Sequence, residues 1–464
     1  LVNVAFPATF RHVAFFFFLC VFALFAVNSF GATWQIKLDG TGDFTTIQAG
    51  IDASADSDTI LVYPGTYYEN INYSGKNITV ASLELITGDP QYISQTVING
   101  QRLSSCVAIV SNEINITIRG LTITNGQGSV NYPLTGGGIS IYDESNCLTC
   151  SIINCSILRN YSIGGAGISI WNSIVNLSGT TIRENYASRA GGAIGIMEDC
   201  EIIFDEDNRC NIYNNLAAYF SEIYMYSLYF NEFSIIVDTF TVQEPSDYFV
   251  GHTSGMPIQY NYDILHNYLE PIDNDLYVSP DGDDNNSGLT ANDPLKTINF
   301  AVRNIASNSD NPRTVHLAAG EYKKSSNPLQ LPFGSKSYVN IIGDSENTTI
   351  LDAENNGEFF LGMNGLEHTI IKNLSMINGN FEISLFLLYY TDFITISNVS
   401  IADCIITDYG AAINSATSGG NIELINVDVI NIVSQNCDVG GCLFNGTSSF
   451  FAKESLFLNN TANY

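Results

Sequence analysis

Residues 157–170 read ILRNYSIGGAGISI, and residues 182–196 read IRENYASRAGGAIGI. These are one pattern written twice. An apolar residue opens each, and Asn160 or Asn185 follows three positions later. A glycine corner comes next (Gly164-Gly165, Gly191-Gly192), then two isoleucines one residue apart. The apolar–Asn piece recurs at Ile212–Ala217 and Phe457–Ala462, and the glycine piece at Gly136–Ile141. Between them run alternating β-branched segments such as Ile114–Ile118 and Phe393–Ser397, which read as short strands. A unit of about 25 to 30 residues cannot bury its apolar side alone, but stacked copies can. The expected fold class is all-β, a right-handed parallel β-helix. A β-propeller fits less well, since its blades run to about 40 residues in four antiparallel strands. Corner asparagines tolerate left-handed backbone and can bond along a ladder of identical amides. Of each pair Ile139/Ile141, Ile168/Ile170 and Ile194/Ile196, one isoleucine is expected to stack inside the coil.

A longer repeat is superimposed on the short one. Ile47 and Ile298 lie 251 residues apart, Gly65 and Gly320 lie 255 apart, and Leu121 and Leu374 lie 253 apart. Each landmark sits in matching company: Thr-Ile before a helical stretch, Gly-Thr-Tyr or Gly-Glu-Tyr, and a strand ending in Asn-Gly. The expectation is two tandem copies of one solenoid, residues 32–270 and 271–464, the second cut short at its C-terminus. Thr45–Ala53 and Thr297–Ile305 are apolar on one face and stand before the first coil of each copy. They are expected to be short N-terminal capping helices, covering sheet ends that would otherwise be open.

Composition narrows the function. The chain carries 17 Lys+Arg against 47 Asp+Glu, a net charge of −30. Such a chain is not expected to bind nucleic acid or an anionic membrane surface. With 45% hydrophobic and only 14% charged residues, disorder is not expected. Arg11 and His12 precede an apolar run from Val13 to Val27, and Ser29 and Gly31 then suit a cut before Ala32. Residues 1–31 are therefore expected to be a secretory signal peptide. The run is shorter than the roughly 20 residues a membrane span needs, and no span is expected once the signal is removed. Nine cysteines follow the signal, an odd number, expected mostly as buried thiols with room for one or two disulfides. Cys147 and Cys150 have half-site spacing for zinc, but no second pair matches them.

The chain resembles the pectin-lyase-like right-handed parallel β-helix superfamily. Asp39–Ile47 with Tyr63–Tyr67 is similar to the opening of pectin methylesterases. Leu276–Pro280 with Pro294–Ile298 is similar to the opening of secreted bacterial β-helix proteins, some of them polysaccharide lyases. Gly191–Ile194 and Phe457–Asn460 resemble the two tetrapeptide signatures of polymorphic outer-membrane proteins. The resemblance implies a secreted or cell-surface protein facing polysaccharide. It does not carry an esterase site: the family's Gln-Asp strand and Arg-Pro-Trp segment have no counterpart, and Asp392-Phe393 lacks the following Phe-Gly.

Candidate residues follow from chemistry. A lyase needs a base beside a uronate carboxylate and a cation opposite it. Arg159 and Arg183 lie at comparable places in successive coils and could clamp an acidic sugar, or could simply offset negative charge at exposed corners. Tyr224 and Tyr226, within the aromatic run 219–233, could stack on sugar rings, or could close the hydrophobic end of the first solenoid. Asp281, Asp283 and Asn285 carry oxygens at alternate positions, as calcium loops do. That makes Ca²⁺ the one cofactor considered, with a plain solvated turn as the alternative. No catalytic set is assigned. The leading expectation is a secreted scaffold that binds polysaccharide or serves as a structural or adhesive surface protein. Two alternatives stand beside it: a lyase or glycosidase on the same fold, and a protein-binding adhesin or passenger-like domain.

Overall fold

A computed structural model describes residues 31–463 apart from 111–112, 130–135, 145–147, 227–230, 254–257, 324, 326–332, 356–360, 382–384, 390, 408–410, 417–419, 436–441 and 446–448. Residues 1–30 of the expected signal peptide, Cys147, Cys437, Tyr229 and Phe230 therefore fall outside the described residues. Among the described residues every strand pair is parallel, and each strand pairs with its counterpart one coil away. The chain is an all-β right-handed parallel solenoid. Its N-terminal coils build sheets of seven, seven, eight and two strands, and its C-terminal coils build sheets of ten, five and four. The change falls between strand Gln259–Asn267 and strand Leu276–Val278. The apolar core is continuous across it, one cluster running from Ile36 to Ile432.

Register explains the packing. Strands Ile139–Tyr142, Ile168–Trp171, Ile194–Met197 and Ile223–Tyr226 align without slippage. Ile139, Ile168, Ile194 and Ile223 form one inward column, and Ile141, Ile170, Ile196 and Met225 form a second; all are at most 1% exposed. The expectation of one buried isoleucine per pair is corrected: both are inside. Residues two apart on a strand share a face, so the residue between them, Ser140, Ser169 or Gly195, points outward. Glycine corners press on that outer side. A Cβ on Gly165 would lie 3.0 Å from Gly195 N and 3.1 Å from Ser169 Cα, so the chain could not approach so closely there with any side chain.

The asparagines form the ladder their spacing implies. Asn160 Nδ2 donates to Asn185 Oδ1 (3.0 Å), and Asn185 Nδ2 donates to Asn215 Oδ1 (2.9 Å). All three are at most 1% exposed. Each Oδ1 of Asn185 and Asn215 also accepts the backbone N–H of the previous rung's asparagine. The ladder ends on a carboxylate: Asn215 Nδ2 donates to Glu222 Oε2 at 2.7 Å. One residue before these asparagines lies a left-handed corner, filled by Arg159, Glu184 and Asn214 at φ of 56°, 56° and 59°.

Both short helices are present, at Ile47–Ala53 and Ile298–Asn304. Thr46 and Thr297 cap them through their hydroxyls, accepting from Ala49 N and Phe300 N. Glu69 adds a carboxylate on the N–H groups of Ile47 and Gln48 at 2.9 and 3.0 Å, the charge a helix N-terminus favours. The first helix packs on the earliest strands. The second lies where the sheets change, with Arg303 hydrogen-bonded to Asn214 on the preceding coils.

Candidate functional site

The outward face of the sheet containing Ile168–Trp171 carries the most distinctive exposed surface. Because Ile168 and Ile170 point inward, Trp171 points outward, and register places Tyr142, Trp171, Met197 and Tyr226 in one row across four coils. Rungs of a sheet are spaced by about 4.8 Å, so the row spans roughly 14 Å along the helix axis. Tyr142 is 39% and Tyr226 48% exposed, Trp171 is half-buried, and Met197 between Trp171 and Tyr226 is buried. The Tyr142 and Trp171 rings lie 5.7 Å apart with a 55° tilt. A tilted pair leaves ring faces open to solvent, unlike the parallel stack of Tyr338, His368 and Phe393, whose planes lie within 17° of one another from ring to ring. There the faces cover each other and mostly edges remain. Tyr142 and Trp171 on adjacent rungs, with Tyr226 two rungs further, can each take an apolar face of an extended chain of rings.

Of the two tyrosines singled out in the sequence, Tyr226 belongs to this row. Tyr224 lies one position inward along the same face, stacked on Phe220 at 5.9 Å with its hydroxyl 2.7 Å from Thr253 Oγ1. Phe220 and Phe233 are buried, so much of the aromatic run packs the solenoid and Tyr226 is its solvent-facing part. Tyr142 and Trp171 were missed. Their signal was present, since each follows an Ile-Ser-Ile triplet at one offset, but the run 219–233 drew attention by density alone.

Arg159 and Arg183 sit on a different sheet, at strands Ser156–Leu158 and Thr181–Arg183. They meet at one carboxylate. Arg159 Nε lies 2.8 Å from Glu184 Oε2, and Arg183 Nη1 bonds Glu184 Oε1. Register pairs Arg183 with Leu158, so the two arginines are not equivalent rungs. Glu184 is the rung partner of Arg159. This is a surface ion triad, and it is not brought together with the tyrosines.

The acidic loop spends its oxygens on itself. Asp283 Oδ1 accepts from the backbone N–H and side-chain amide of Asn285 at 2.9 and 2.8 Å. These bonds hold the Asp283 carboxyl below its ordinary range. Asp284 Oδ1 accepts from Lys296 N and Thr297 N, both at 2.9 Å, tying the loop to the second helix. Asp281 is exposed. Among the described residues, no group of three or more His, Cys, Asp or Glu is arranged to hold a metal ion. Asp283 Oδ1 is thus committed to Asn285, as in a solvated turn.

A second polar feature was invisible in the sequence. Where the sheets change, Glu222 and Lys336 are buried beside partly buried Arg303 and Asp247. Burial pushes Glu222 up to about 7 despite hydrogen bonds from Asn215 and Thr241, and pushes Lys336 down to about 7. Lys336 Nζ donates to the carbonyls of Arg303 (2.9 Å) and Ile305 (2.7 Å) and lies about 5 Å from the rings of Tyr248 and Phe249. Ser337 Oγ donates to Asp247 Oδ2 at 2.6 Å. Beside Lys336 opens a cleft of about 400 Å³, with Gln243, Glu244, Asn267 and Glu270 on its walls. The thiols of Cys106, Cys150, Cys155, Cys200, Cys210 and Cys404 are free and buried. Burial raises all of them, Cys106 and Cys404 to about 12, so they are packing residues rather than nucleophiles.

Residues 280–382 match the model of DUF1565, a family of unknown function. No curated protein matches the chain. Among solved structures, the PL6 family alginate lyase AlyGC aligns at 9% identity over 93% of this chain and 100% of that chain, with a TM-score of 0.20. An arginine-to-alanine mutant of that enzyme aligns at 10% identity and 0.19 over the same shares. At such TM-scores the alignment adds nothing to the architecture that strand pairing already defines.

Proposed function

We propose that this chain is a secreted or cell-surface β-helix scaffold that binds polysaccharide along the row Tyr142, Trp171, Met197 and Tyr226. The observation that carries the reading is the row itself: Tyr142 and Trp171 on adjacent rungs and Tyr226 two rungs further, held by a sheet whose register does not slip. In this reading residues 1–31 are a removed signal peptide, and residues 32–270 and 271–464 are tandem copies of one solenoid. After that cut the α-ammonium of Ala32 would stand where its amide N–H now donates to Asp58 Oδ1, at 2.6 Å. The test is titration of a panel of soluble polysaccharides, read by isothermal titration calorimetry. Trp171→Ala and Tyr226→Ala should each weaken binding about tenfold or more, as loss of a central aromatic anchor does, with the melting temperature unchanged. Binding that survives both changes refutes the row.

A second reading, a carbohydrate-active enzyme, is favoured by one observation. Lys336 is a buried amine with a depressed pKa on the wall of a cleft, and such groups are candidates for proton abstraction. Unsaturated product from a uronate polymer, absorbing near 235 nm and lost in Lys336→Met, would install it.

A further inference from the structure

The acidic loop builds one wall of a second cleft, in the C-terminal coils. Leu276, Val278, Val315 and Leu317 are buried, and successive residues of a strand face opposite ways. Tyr277 and His316, paired in register between them, therefore face outward. Their rings stack at 4.8 Å with planes 18° apart. Residues 281–295 then fold back over Tyr277: its N–H donates to the Gly288 carbonyl and its carbonyl accepts from Leu295 N, both at 2.8 Å. Between this loop and the ends of strands Arg313–Leu317 and Val339–Gly343 lies a cleft of about 440 Å³. Small-ligand sites measure roughly 300–1,000 Å³. Tyr277, Ala291, Pro294, His316, Ala319 and Asp344 are on its walls.

His316 reaches the cleft with one ring nitrogen already used. Its Nε2 lies 3.0 Å from Asp275 Oδ2, and Asp275 Oδ1 accepts from Thr314 N at 2.9 Å. An ionised carboxylate only accepts, so Nε2 carries the proton and Nδ1 of the neutral ring carries the lone pair. Asp275 precedes strand Leu276–Val278 and is not on the cleft wall, whereas the cleft lies at the C-terminal end of that strand. The ring thus turns Nε2 away from the cleft and Nδ1 toward it. Among the described residues Nδ1 has no hydrogen-bond partner. Asp344 is exposed and spends Oδ2 on the Thr348 hydroxyl at 3.2 Å. The cleft therefore offers two acceptors, a ring nitrogen and a carboxylate, between apolar walls of Ala291, Pro294 and Ala319. Such a site suits a ring with hydroxyl donors on its edge and an apolar face.

We infer that this cleft binds one sugar ring of a neutral glycan, with His316 Nδ1 and Asp344 accepting protons from its hydroxyls. Asp275 and Tyr277 are positioning residues: the first fixes the tautomer of His316 and the second fixes the plane of its ring. A sugar bearing a carboxylate is rejected, because a lone pair and a like charge would face it. The site lies on other coils than the aromatic row and does not depend on the row's being a glycan surface.

The experiment uses the full chain labelled with ¹⁵N-histidine, at about pH 8, above the ordinary range of imidazole titration. Long-range ¹H–¹⁵N spectra, assigned by the signal lost in His316→Phe, should show Nε2 protonated and Nδ1 bare; the other tautomer would overturn the inference. Trimers of glucose, mannose and galacturonate are then added at high salt, which screens the chain's overall charge. A neutral trimer should move the His316 Nδ1 resonance. His316→Phe keeps a ring against Tyr277 and should weaken that trimer about fivefold, as loss of one hydrogen bond does. The galacturonate trimer should bind about tenfold more weakly than the neutral one, and Asp344→Asn should tighten it, a gain that misfolding would not produce. Galacturonate bound as tightly as the neutral trimers would overturn the acceptor pair. A neutral trimer that binds without moving the His316 signals would overturn the cleft and leave the aromatic row standing. Failure of all three trimers to bind would overturn the cleft as well.

Discussion

Replacing Asn185 by leucine tests whether the buried amide ladder holds the coils together. The side chain is the middle rung. Its Nδ2 donates to the Ile157 carbonyl (3.0 Å), the Arg183 carbonyl (3.1 Å) and Asn215 Oδ1 (2.9 Å). Its Oδ1 accepts from Asn160 N and Asn160 Nδ2, both at 3.0 Å. Leucine has nearly the same shape and none of these groups. Asn215 Oδ1 would keep the backbone N–H of residue 185, and Asn160 Nδ2 would keep the Ile123 carbonyl at 3.1 Å. Asn160 N–H would be left with no acceptor, and the Ile157 carbonyl would lose a donor. A buried polar group without its partner costs about 1–3 kcal/mol, so Asn185→Leu should destabilise these coils by about 2–5 kcal/mol. Asn185→Asp should do worse at neutral pH. Its second oxygen would face three acceptors, and burial would raise its folded pKa above the unfolded value. That variant should therefore regain stability as pH falls through the folded pKa. Stacked arrays need not unfold as one unit, so the probe must be local. Trp171 fluorescence during urea unfolding, in a Trp34→Phe background, reports on the right coils, and amide exchange at Asn160 checks it. If both variants unfolded within about 0.5 kcal/mol of the parent, too small a change for a broken buried network, the ladder would be an ornament of the fold and not a support.

Three other outcomes follow from the same structure. Ile170→Asp puts a charge between Ile141 and Ile196 and should cost several kcal/mol; a parent-like thermal melt would show that the column is not core. Glu222 is raised to about 7 and Lys336 lowered to about 7, so their two contributions have opposite slopes. Stability should fall from about pH 4.5 to 7 as folded Glu222 must ionise, and rise from pH 7 to about 10.5 as folded Lys336 is released from carrying charge. Melting temperatures should therefore dip near neutrality, with Glu222→Gln removing the acid limb and Lys336→Met the alkaline one. Brief iodoacetamide treatment of the folded protein at pH 8 should leave Cys106, Cys150, Cys155, Cys200, Cys210 and Cys404 unlabelled by peptide mass spectrometry; rapid labelling of Cys150 would mean its coil opens readily.

What the sequence made legible was whatever repeats at the coil period. Asn160, Asn185 and Asn215 announced a ladder because each rung must present the same group at the same corner. Thr46 and Thr297 announced helix starts because a hydroxyl there satisfies a first-turn N–H. The isoleucine pairs announced strands, and the single error, one buried member per pair, came from setting aside the two-residue period of a strand. The arginine pair shows the same point. Arg159 stands one residue before Asn160 and Arg183 two before Asn185, and register aligns Arg159 with Glu184. That one-residue offset puts a single carboxylate between the two arginines.

The groups no pattern revealed are those that occur once. Glu222 ends the amide ladder because the next coil offers no asparagine at that corner. Asn215 then has donors to spare, and a carboxylate accepts from both its Nδ2 and its backbone N–H. Arg303 and Lys336 come from coils about 80 and 110 residues further along the chain, where periodicity carries no information about what faces what. The aromatic row shows both sides of this. Tyr142, Trp171, Met197 and Tyr226 hold one register position, yet they share no residue type, so a search for repeated letters passes over them. They are a row because the inward columns beside them are strict. The core needs isoleucine at each rung and permits any large side chain on the outer face, and that freedom lets a contact surface be written there without disturbing the fold.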